Sequence, residues 1–314
     1  MILISRTQTN PYFNIAAEEY VLKNFDDDVL MLWQSEPSVI IGKHQNLMAE
    51  VDLGYTNKAD IPVIRRISGG GTVYHDLGNL NYTLIRNEEN HERLIDFKQF
   101  SMPVIEFIKT LGIEASFEGK NNLVINGKKF SGNSAHVFKN RVMHHGTLLF
   151  NTNLTKLEKV IRPSIAQISD KSVKSIRAEV INLSDALNYY LSMDEFRQNL
   201  TGFLKNYYGI KRVYKLKEKD KTAINTLIDE KYAVAKWNYG YSPAYEFENK
   251  IEGYHLLIKV KNGIIEQIEL KGIEQQIVNK FKGVMHRNED IAVLAAKISI
   301  DENQKQLLLN LFGF

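Results

Sequence analysis

The chain contains no cysteine, carries almost no net charge and has no long apolar segment. Its 314 residues include 40 Lys and Arg against 37 Asp and Glu, which gives a formal net charge of +3. Without cysteine, a disulfide framework, a thiolate nucleophile and a zinc ribbon are all excluded. The small positive charge does not by itself indicate nucleic-acid binding. No segment approaches 18 consecutive apolar residues, and Arg6 interrupts the apolar N-terminal residues, so we expect a cytoplasmic protein without a membrane span.

What the chain does have is the composition of an ordinary globular protein. Hydrophobic residues make up 44% of it and charged residues 25%. At roughly 100–200 residues per domain, this length predicts two units. We expect a main domain over residues 1–240 and a small C-terminal α+β unit over residues 245–314. In the second unit, apolar residues alternate over 254–260, and Asn262-Gly263 is a strong type I′ hairpin signal.

Hydrophobic periodicity predicts the elements that carry the motifs. An amphipathic helix is predicted over 10–24, with Glu18 and Glu19 outside its apolar stripe. Residues 131–150 are predicted to pass from a turn rich in Ser, Gly and Asn into a strand, and residues 162–177 to form a long loop. Further helices are predicted over 97–111, 275–281, 289–296 and from 304, with strands over 31–33 and 39–42.

The most informative segment is a glycine-rich turn that follows two arginines, Arg65 and Arg66. Its three glycines, 69–71, let the backbone approach a ligand and turn N–H groups inward, while an arginine binds carboxylate or phosphate with two hydrogen bonds. Strand-like residues lie on both sides, and Gly-Lys-Ser/Thr is absent, so neither a Walker loop nor a Rossmann loop is favoured. The turn indicates an anion site, although a tight hairpin with a solvated arginine pair fits the same residues.

Two further motifs decide the family. Residues 121–132 read N-N-L-V-I-N-G-K-K-F-S-G, and residues 144–149 read H-H-G-T-L-L. In this order and spacing, and together with the glycine turn and Gly78-Asn79, they resemble the lipoate–protein ligase A family of the biotin/lipoate protein ligase superfamily. The resemblance runs over nearly the whole chain. It implies an α+β fold with a mixed sheet and flanking helices, followed by a small C-terminal accessory domain.

The resemblance also implies an activity, that of an ATP-dependent lipoate–protein ligase. Members of the family join lipoate to ATP, release pyrophosphate, hold lipoyl-adenylate and pass the lipoyl group to one lysine of an acceptor protein. The implied acceptors are lipoyl domains of 2-oxoacid dehydrogenase E2 subunits and the glycine-cleavage H protein. Activation is needed because a carboxylate is a poor electrophile until one of its oxygens has become a leaving group. No nucleic-acid or membrane partner is expected.

The site residues follow from the same resemblance. Lys129, at the family's lysine position, would lie between the carboxylate and the α-phosphate and stabilise the charge of the transition state. The other implied nucleotide contacts are Arg66, Gly71, Thr72, Val73, Tyr74, Asn79, Asn121 and Lys171. Lipoate would contact Gly70, Gly71, Lys129 and His145. Its tail needs an apolar slot, and either the walls of that slot or the hydrophobic core fits Trp33, Val39, Ile41, Leu77 and Leu149 equally well.

Departures from the family pattern leave other functions open. Asn122 replaces the usual Asp, which weakens any Mg²⁺ site near Asn121 and Asn122, so Mg²⁺ would arrive with ATP. In the adenylate-binding loop, Asp170, Ser172 and Glu179 replace the usual Ser, Gly and Arg and lower its positive charge. These changes fit a lipoyl amidotransferase, which takes lipoyl from a donor protein without ATP. A non-catalytic lipoate-binding module would use the same slot.

The acceptor amine must lose a proton, because a lysine in water has a pKa of about 10.4 and only the neutral amine attacks. His75 and His145 are candidates for the base by residue type, although a histidine in a strand is also typical of a structural group. We do not expect His144 and His145 to form a metal pair, because adjacent strand residues point to opposite faces.

Overall fold

The computed structural model describes residues 1–88, 95–161, 166–298 and 302–314. Within these ranges the strands are Ile2–Ser5 (β1), Val29–Gln34 (β2), Ser38–Ile41 (β3), Val63–Arg65 (β4), Val73–His75 (β5), Asn79–Asn87 (β6), Ser116–Glu118 (β7), Asn122–Ile125 (β8), Lys128–Phe138 (β9), Arg141–Leu149 (β10), Gln167–Asp170 (β11), Arg212–Lys215 (β12), Tyr245–Ile251 (β13), Tyr254–Lys261 (β14) and Ile264–Lys271 (β15). The α-helices are Pro11–Asn24 (α1), Leu47–Glu50 (α2), Leu53–Lys58 (α3), Phe97–Thr110 (α4), Leu154–Val160 (α5), Leu183–Ala186 (α6), Met193–Tyr207 (α7), Glu218–Leu227 (α8), Ala235–Asn238 (α9), Gln275–Val278 (α10), Asn288–Ala296 (α11) and Glu302–Leu311 (α12). A π-helical turn over Ile228–Tyr232 follows α8, and a 3₁₀ turn over Asn279–Phe281 follows α10. None of these described helices is long and apolar enough to cross a membrane.

A mixed sheet with helices on both faces forms the centre of the molecule. Its strand order is β12-β1-β2-β6-β10-β9-β8-β7, with β1 parallel to both of its neighbours and every other pair antiparallel. One face packs on α1 through Met31 and Ile85, and the other packs on α4 and α7 through Leu84. Because both faces are covered, these strands are apolar on both sides. The mixed sheet with flanking helices that the sequence predicts is confirmed.

Helix α1 is fixed by its capping residues and buried more deeply than its periodicity predicts. The side chain of Asn10 accepts a hydrogen bond from the N–H of Phe13, at 3.0 Å. The prediction that Glu18 and Glu19 lie outside the buried face was wrong, because each is only 2% exposed. Both carboxylates have partners from distant elements, His145 for Glu18 and Lys231 for Glu19. Long-range pairing therefore allows charged residues to lie on the packed face.

The glycine turn lies in a second, smaller sheet. Strand β3 is its centre, parallel to β4 and antiparallel to β5. The turn, residues 66–72, leads from β4 to β5, so its predicted position between strands is confirmed. This sheet faces the main sheet across the cavity described below.

One turn prediction was wrong. The stretch rich in Ser, Gly and Asn after Lys129 continues as strand β9 and pairs in register with β10. The polar side chain of Asn133 is satisfied inside the sheet, where it accepts a hydrogen bond from the Tyr82 hydroxyl at 2.5 Å. The chain reverses later, at Lys139, which has a φ of 54°. A local composition typical of turns is thus outweighed by long strand pairing.

The C-terminal residues form a third sheet, of order β11-β13-β14-β15, with α10, α11 and α12 packed on it. The predicted hairpin at Asn262-Gly263 is confirmed, with positive φ at both residues, 52° and 76°. The prediction of one long loop over 162–177 was wrong in part, because β11 is the edge strand of this sheet; residues 162–165 lie outside the described residues. We keep the division into 1–240 and 245–314 as a proposal.

Candidate active site

A cavity of about 320 Å³ lies between the main sheet and the glycine turn. Its floor is a row of residues in register across four strands. Trp33 pairs with Asn81, Asn81 pairs with Thr147, and the N–H of Gly132 donates to Thr147 Oγ1 at 3.3 Å. Paired residues point to the same face of a sheet, and strands lie about 4.8 Å apart, so this row is about 14 Å long. The floor therefore runs from the Trp33 end to the Lys129 end.

The roof differs in character from one end of the cavity to the other. At the Trp33 end, Ile15 of α1, Ile40 of β3 and Val73 of β5 provide an apolar surface. At the other end the lining consists of glycine-turn backbone, Lys129 and the amide side chain of Asn121. The cavity is an apolar slot that ends in a polar, cationic site.

The position of Lys129 is fixed by hydrogen bonds of its backbone groups. Its N–H donates to the carbonyl oxygen of Glu179 at 2.8 Å, and its own carbonyl accepts from the N–H of Ile181 at 3.0 Å. A Cβ on Gly132 would lie 2.8 Å from Lys129 Nζ, so a larger residue there would displace the ammonium group from this position. Burial, and then the positive charge of Arg66, lower the pKa of Lys129. Within the described ranges Nζ has no carboxylate partner, so this cation faces the cavity.

Arg66 holds the shape of the glycine turn. Its guanidinium donates to the carbonyl oxygens of Ile40 at 3.1 Å, Gly71 at 2.8 Å and Gly69 at 2.5 Å. The turn needs glycine at Gly70, where φ is 85°. Burial lowers the pKa of Arg66 to about 10, so it stays charged at neutral pH. The arginine thus contributes a positive charge to the cavity and fixes the backbone that faces it.

Arg65 does not lie at the cavity, although the sequence indicates an arginine pair for anion binding. Its side chain is fully buried and donates to the carbonyl oxygens of Gln45 at 2.7 Å and Asn238 at 2.7 Å, and to the Ser242 hydroxyl at 2.8 Å. These contacts join segments that are almost 200 residues apart. Arg65 is therefore a structural residue, and the expectation that it binds an anion was wrong.

A chain of hydrogen bonds starts at Arg66. Because an arginine only donates, Ser68 Oγ accepts from Arg66 Nε at 2.9 Å, and the same oxygen is hydrogen-bonded to His145 Nε2 at 2.7 Å. His145 Nδ1–H then donates to Glu18 at 3.0 Å. Burial alone would raise the pKa of Glu18, but His145, Thr83 and Arg6 together hold it below its usual value. Ser68 and His145 therefore connect the buried Arg66 and Glu18, and both ring nitrogens of His145 are engaged.

The two candidate bases are both unsuited to taking a proton. Both ring nitrogens of His145 are already engaged, Nε2 with Ser68 and Nδ1 with Glu18. His75 packs edge-on against Trp33, and burial lowers its pKa to about 3, so it is neutral and a weak base near pH 7. His144 lies on the opposite face of β10, stacked on Phe100, as the strand alternation predicts.

The structure brings most of the expected contact residues to this cavity. Those that line it are Arg66, Gly70, Gly71, Thr72, Val73, Asn121, Lys129 and His145. Three others lie outside the lining, namely Tyr74, Asn79 and Lys171. Tyr74 is buried in the core on the far side of β5, and Asn79 is buried at the start of β6.

Of the expected walls of the slot, only Trp33 lines the cavity. Val39 and Ile41 belong to the core that β3 shares with the C-terminal sheet, and Leu77 is 51% exposed. Leu149 is buried but does not reach the cavity either. These four residues do not form the slot. For Val39 and Ile41 the reason is the face of β3, where Ile40 between them points to the slot instead.

Sequence reasoning missed several lining residues. They are Ile15, Glu18, Ile40, Asn81, Asn133, Ser134 and Ser175. Ile40 could have been found by testing both faces of the β3 pattern. Ser175 lies in the loop that the resemblance marks as adenylate-binding, although no role is implied there for that serine.

The residues at the cationic end do not fit a protein-held Mg²⁺. Mg²⁺ prefers carboxylate and water oxygens, whereas this end offers the amides of Asn121 and Asn122 beside Lys129 and Lys120. Among the described residues, no three His, Cys, Asp or Glu side chains are grouped to hold a metal ion. The side chain of Asn121 is also engaged, since its Nδ2 donates to the backbone carbonyl oxygen of Asn133.

Comparison with known families agrees with this geometry. A family model for the lipoyl protein ligase A/B catalytic domain matches residues 10–205, more than half of the chain. The chain belongs to the lipoate–protein ligase family. It is 37% identical to the lipoate–protein ligase LplJ of Bacillus subtilis over 87% of this chain and 85% of that protein. It is 38% identical to lipoate–protein ligase 1 of Staphylococcus aureus over 84% and 82%.

Solved structures of this ligase family share the fold. A lipoate–protein ligase A bound with ATP has a TM-score of 0.66 and 28% identity, covering 76% of this chain and 98% of that one. A T. acidophilum protein with bound lipoic acid has a TM-score of 0.65, 28% identity and the same coverage. The bipartite lipoate protein ligase of Thermoplasma acidophilum, solved in a study of it and its E2 lipoyl domain, has a TM-score of 0.63, 27% identity and coverage of 76% and 96%.

Proposed function

We propose that this protein is an ATP-dependent lipoate–protein ligase that forms lipoyl-AMP and transfers the lipoyl group to a lysine. The observation that supports this best is the two-ended cavity. One end is an apolar slot at Trp33, and the other has the glycine turn and Lys129. Such a cavity suits a molecule with an apolar tail joined through a carboxyl group to a phosphate. The ATP-bound and lipoic-acid-bound structures of related proteins agree with both halves.

In the first half-reaction the carboxylate of lipoate attacks the α-phosphorus of ATP, and pyrophosphate leaves. The two reacting groups are both anions and repel each other. Lys129 lowers this repulsion and stabilises the charge that develops between them. Gly70 and Gly71 line the same end, where their backbone N–H groups would serve as donors for phosphate oxygens. Mg²⁺ would enter on the phosphates of ATP, without a carboxylate site of the protein.

In the second half-reaction the neutral amine of the acceptor lysine attacks the lipoyl carbonyl carbon, and AMP leaves. His145 is not assigned the amine proton, because both of its ring nitrogens are already hydrogen-bonded, to Ser68 and to Glu18. The proton passes instead to the leaving phosphate or to solvent. The proposed acceptors are E2 lipoyl domains and the glycine-cleavage H protein, and we propose that the reaction takes place in the cytoplasm, where ATP is available.

A lipoyl amidotransferase is the second candidate. The observation that favours it is the ion pair between Lys174 Nζ and Asp170, at 2.7 Å. Because this lysine is paired with a carboxylate, less positive charge remains for the phosphates of ATP. Lys129 and the intact glycine turn favour the ligase, since transfer between proteins does not require a site for ATP phosphates.

Intact mass spectrometry of an E2 lipoyl domain separates these functions. With the protein, ATP and lipoate, the ligase mechanism predicts the mass gain of one lipoyl group on one lysine, and no gain when ATP is omitted. An amidotransferase would modify the domain without ATP when a lipoylated H protein is supplied. A domain that stays unmodified in both mixtures would contradict both enzymatic functions and would favour the non-catalytic lipoate-binding module.

A further inference from the structure

Residues 173–176 form one wall of the cavity mouth, and we call them the mouth segment. Apolar packing does little to hold it, because Val173 is 50% exposed and Ile176 is 89% exposed. The segment is nevertheless in contact with the glycine turn, since the N–H of Thr72 donates to Ser175 Oγ at 3.0 Å. The position of this wall therefore depends on hydrogen bonds at Ser175.

The directions of those hydrogen bonds are determined by the donors. Gln45 Oε1 accepts from the N–H of Gly42 at 2.9 Å, so its Nε2 is the group that meets Ser175 Oγ, at 3.0 Å. Ser175 Oγ thus accepts twice, from Gln45 and from Thr72. Its own proton must go to a third group, and that group is the carboxylate of Glu50. The N–H of Ser175 donates to the other Glu50 oxygen at 3.2 Å.

Glu50 is well placed to act as an anchor. It lies at the end of α2, outside the cavity lining, and is only 6% exposed. Among the described residues no Lys, Arg or His pairs with it, and its hydrogen bonds are those from Ser175. A buried carboxylate is costly unless its oxygens are hydrogen-bonded, so the mouth segment and Glu50 stabilise each other. The preceding Asp170, bound to Asn46 at 2.8 Å, fixes the other end of the same loop.

We propose that Glu50 is a positioning residue that, through Ser175, keeps the cavity mouth closed over the acyl-adenylate between the two half-reactions. This inference rests on the proposed ligase function. The carboxyl–phosphate anhydride reacts with water as well as with an amine. In the wasteful reaction the oxygen of water bonds to the acyl carbon and AMP leaves, which yields lipoate and AMP with no modified acceptor. A wall held across the mouth excludes that water.

The measurement is the number of pyrophosphate molecules released for each lipoyl group that appears on an E2 lipoyl domain. We expect about one for the wild type. Ser175→Ala removes the hydroxyl. In Glu50→Gln an amide NH₂ group replaces one of the two carboxylate oxygens, so one of the two hydrogen bonds that Ser175 donates loses its acceptor. Both changes should raise the ratio about tenfold, because a larger share of the adenylate is lost to water before it reaches the acceptor. Glu218→Gln, an exposed carboxylate on α8, is the matched control and should keep the ratio of the wild type.

The possible outcomes are distinct. A ratio near one in Ser175→Ala and in folded Glu50→Gln would overturn the inference. If Glu50→Gln does not fold, as judged by circular dichroism, Ser175→Ala alone decides, because its change lies on a largely exposed loop. A wild-type protein that releases no pyrophosphate with lipoate would instead overturn the proposed function. A simple loss of stability would lower both rates together and leave the ratio unchanged.

Discussion

Gly42→Ala is the substitution whose effect the structure predicts most sharply. Gly42 follows β3, directly under the glycine turn. A Cβ at this position would lie 2.1 Å from the carbonyl oxygen of Gly70, which is backbone and cannot rotate away. The turn must therefore move by about 1 Å to reach an ordinary contact, and the floor of the slot at Trp33 stays where it is.

The size of the effect follows from that displacement. A misplacement of about 1 Å in a catalytic arrangement costs on the order of 10²-fold in rate, or about 2.7 kcal/mol. We expect lipoate-dependent ATP–pyrophosphate exchange to fall by about this factor. The affinity for free lipoate, measured by calorimetry without ATP, should change by less than about threefold, because Ile40 and Trp33 hold the tail.

Gly69→Ala is the matched control within the same turn. A Cβ at Gly69 would meet no atom within 4 Å, and Gly69 does not need a positive φ. This variant should keep nearly the exchange rate of the wild type. An exchange rate for Gly42→Ala close to that of the wild type, or equal losses in the two variants, would refute the reasoning about the turn.

Three further outcomes are expected. Lys129→Ala should lower the overall transfer rate by about 10²–10³-fold with little change in the melting temperature, because Nζ has no carboxylate partner in the described part of the chain. Arg65→Lys should lower the free energy of unfolding by about 3 kcal/mol in urea titrations, since a lysine cannot satisfy the carbonyl groups that Arg65 joins. Burial lowers the pKa values of His75, His144 and His286 to about 3, 4 and 4. Because the unfolded chain binds these protons near pH 6.5 and the folded chain does not, stability should fall as the pH drops from 6.5 to 5, and a flat profile would contradict this.

The fold was predictable where the signal is local or belongs to a family motif. Helix α1 begins at the Asn10-Pro11 cap, and the Asn262-Gly263 hairpin follows from turn chemistry. Both depend on a few adjacent residues. The position of the glycine turn between strands was also readable, because branched and aromatic residues flank it. The prediction for β9 failed because strand pairing with β10, rather than composition, decides the structure there.

The site was predictable only in its motif residues. Lys129 and the glycine turn are recognisable by spacing, and both line the cavity. His145, which contacts Glu18, and Ser175, which contacts Glu50, lie more than 120 residues away along the chain, and no periodicity encodes such pairs. The wall of the slot required knowing which face of β3 is turned inward. A strand covered on both sides, as β3 is, gives no alternation from which to choose.

The most direct test of the account is a crystal structure of the protein with lipoyl-AMP. We predict that Lys129 Nζ lies within about 3.2 Å of an oxygen at the carboxyl–phosphate junction and that the lipoyl tail extends over the floor toward Trp33. The phosphate should lie against the backbone of Gly70 and Gly71. A nucleotide bound outside this cavity, or a lipoyl tail directed away from Trp33, would contradict the central claim.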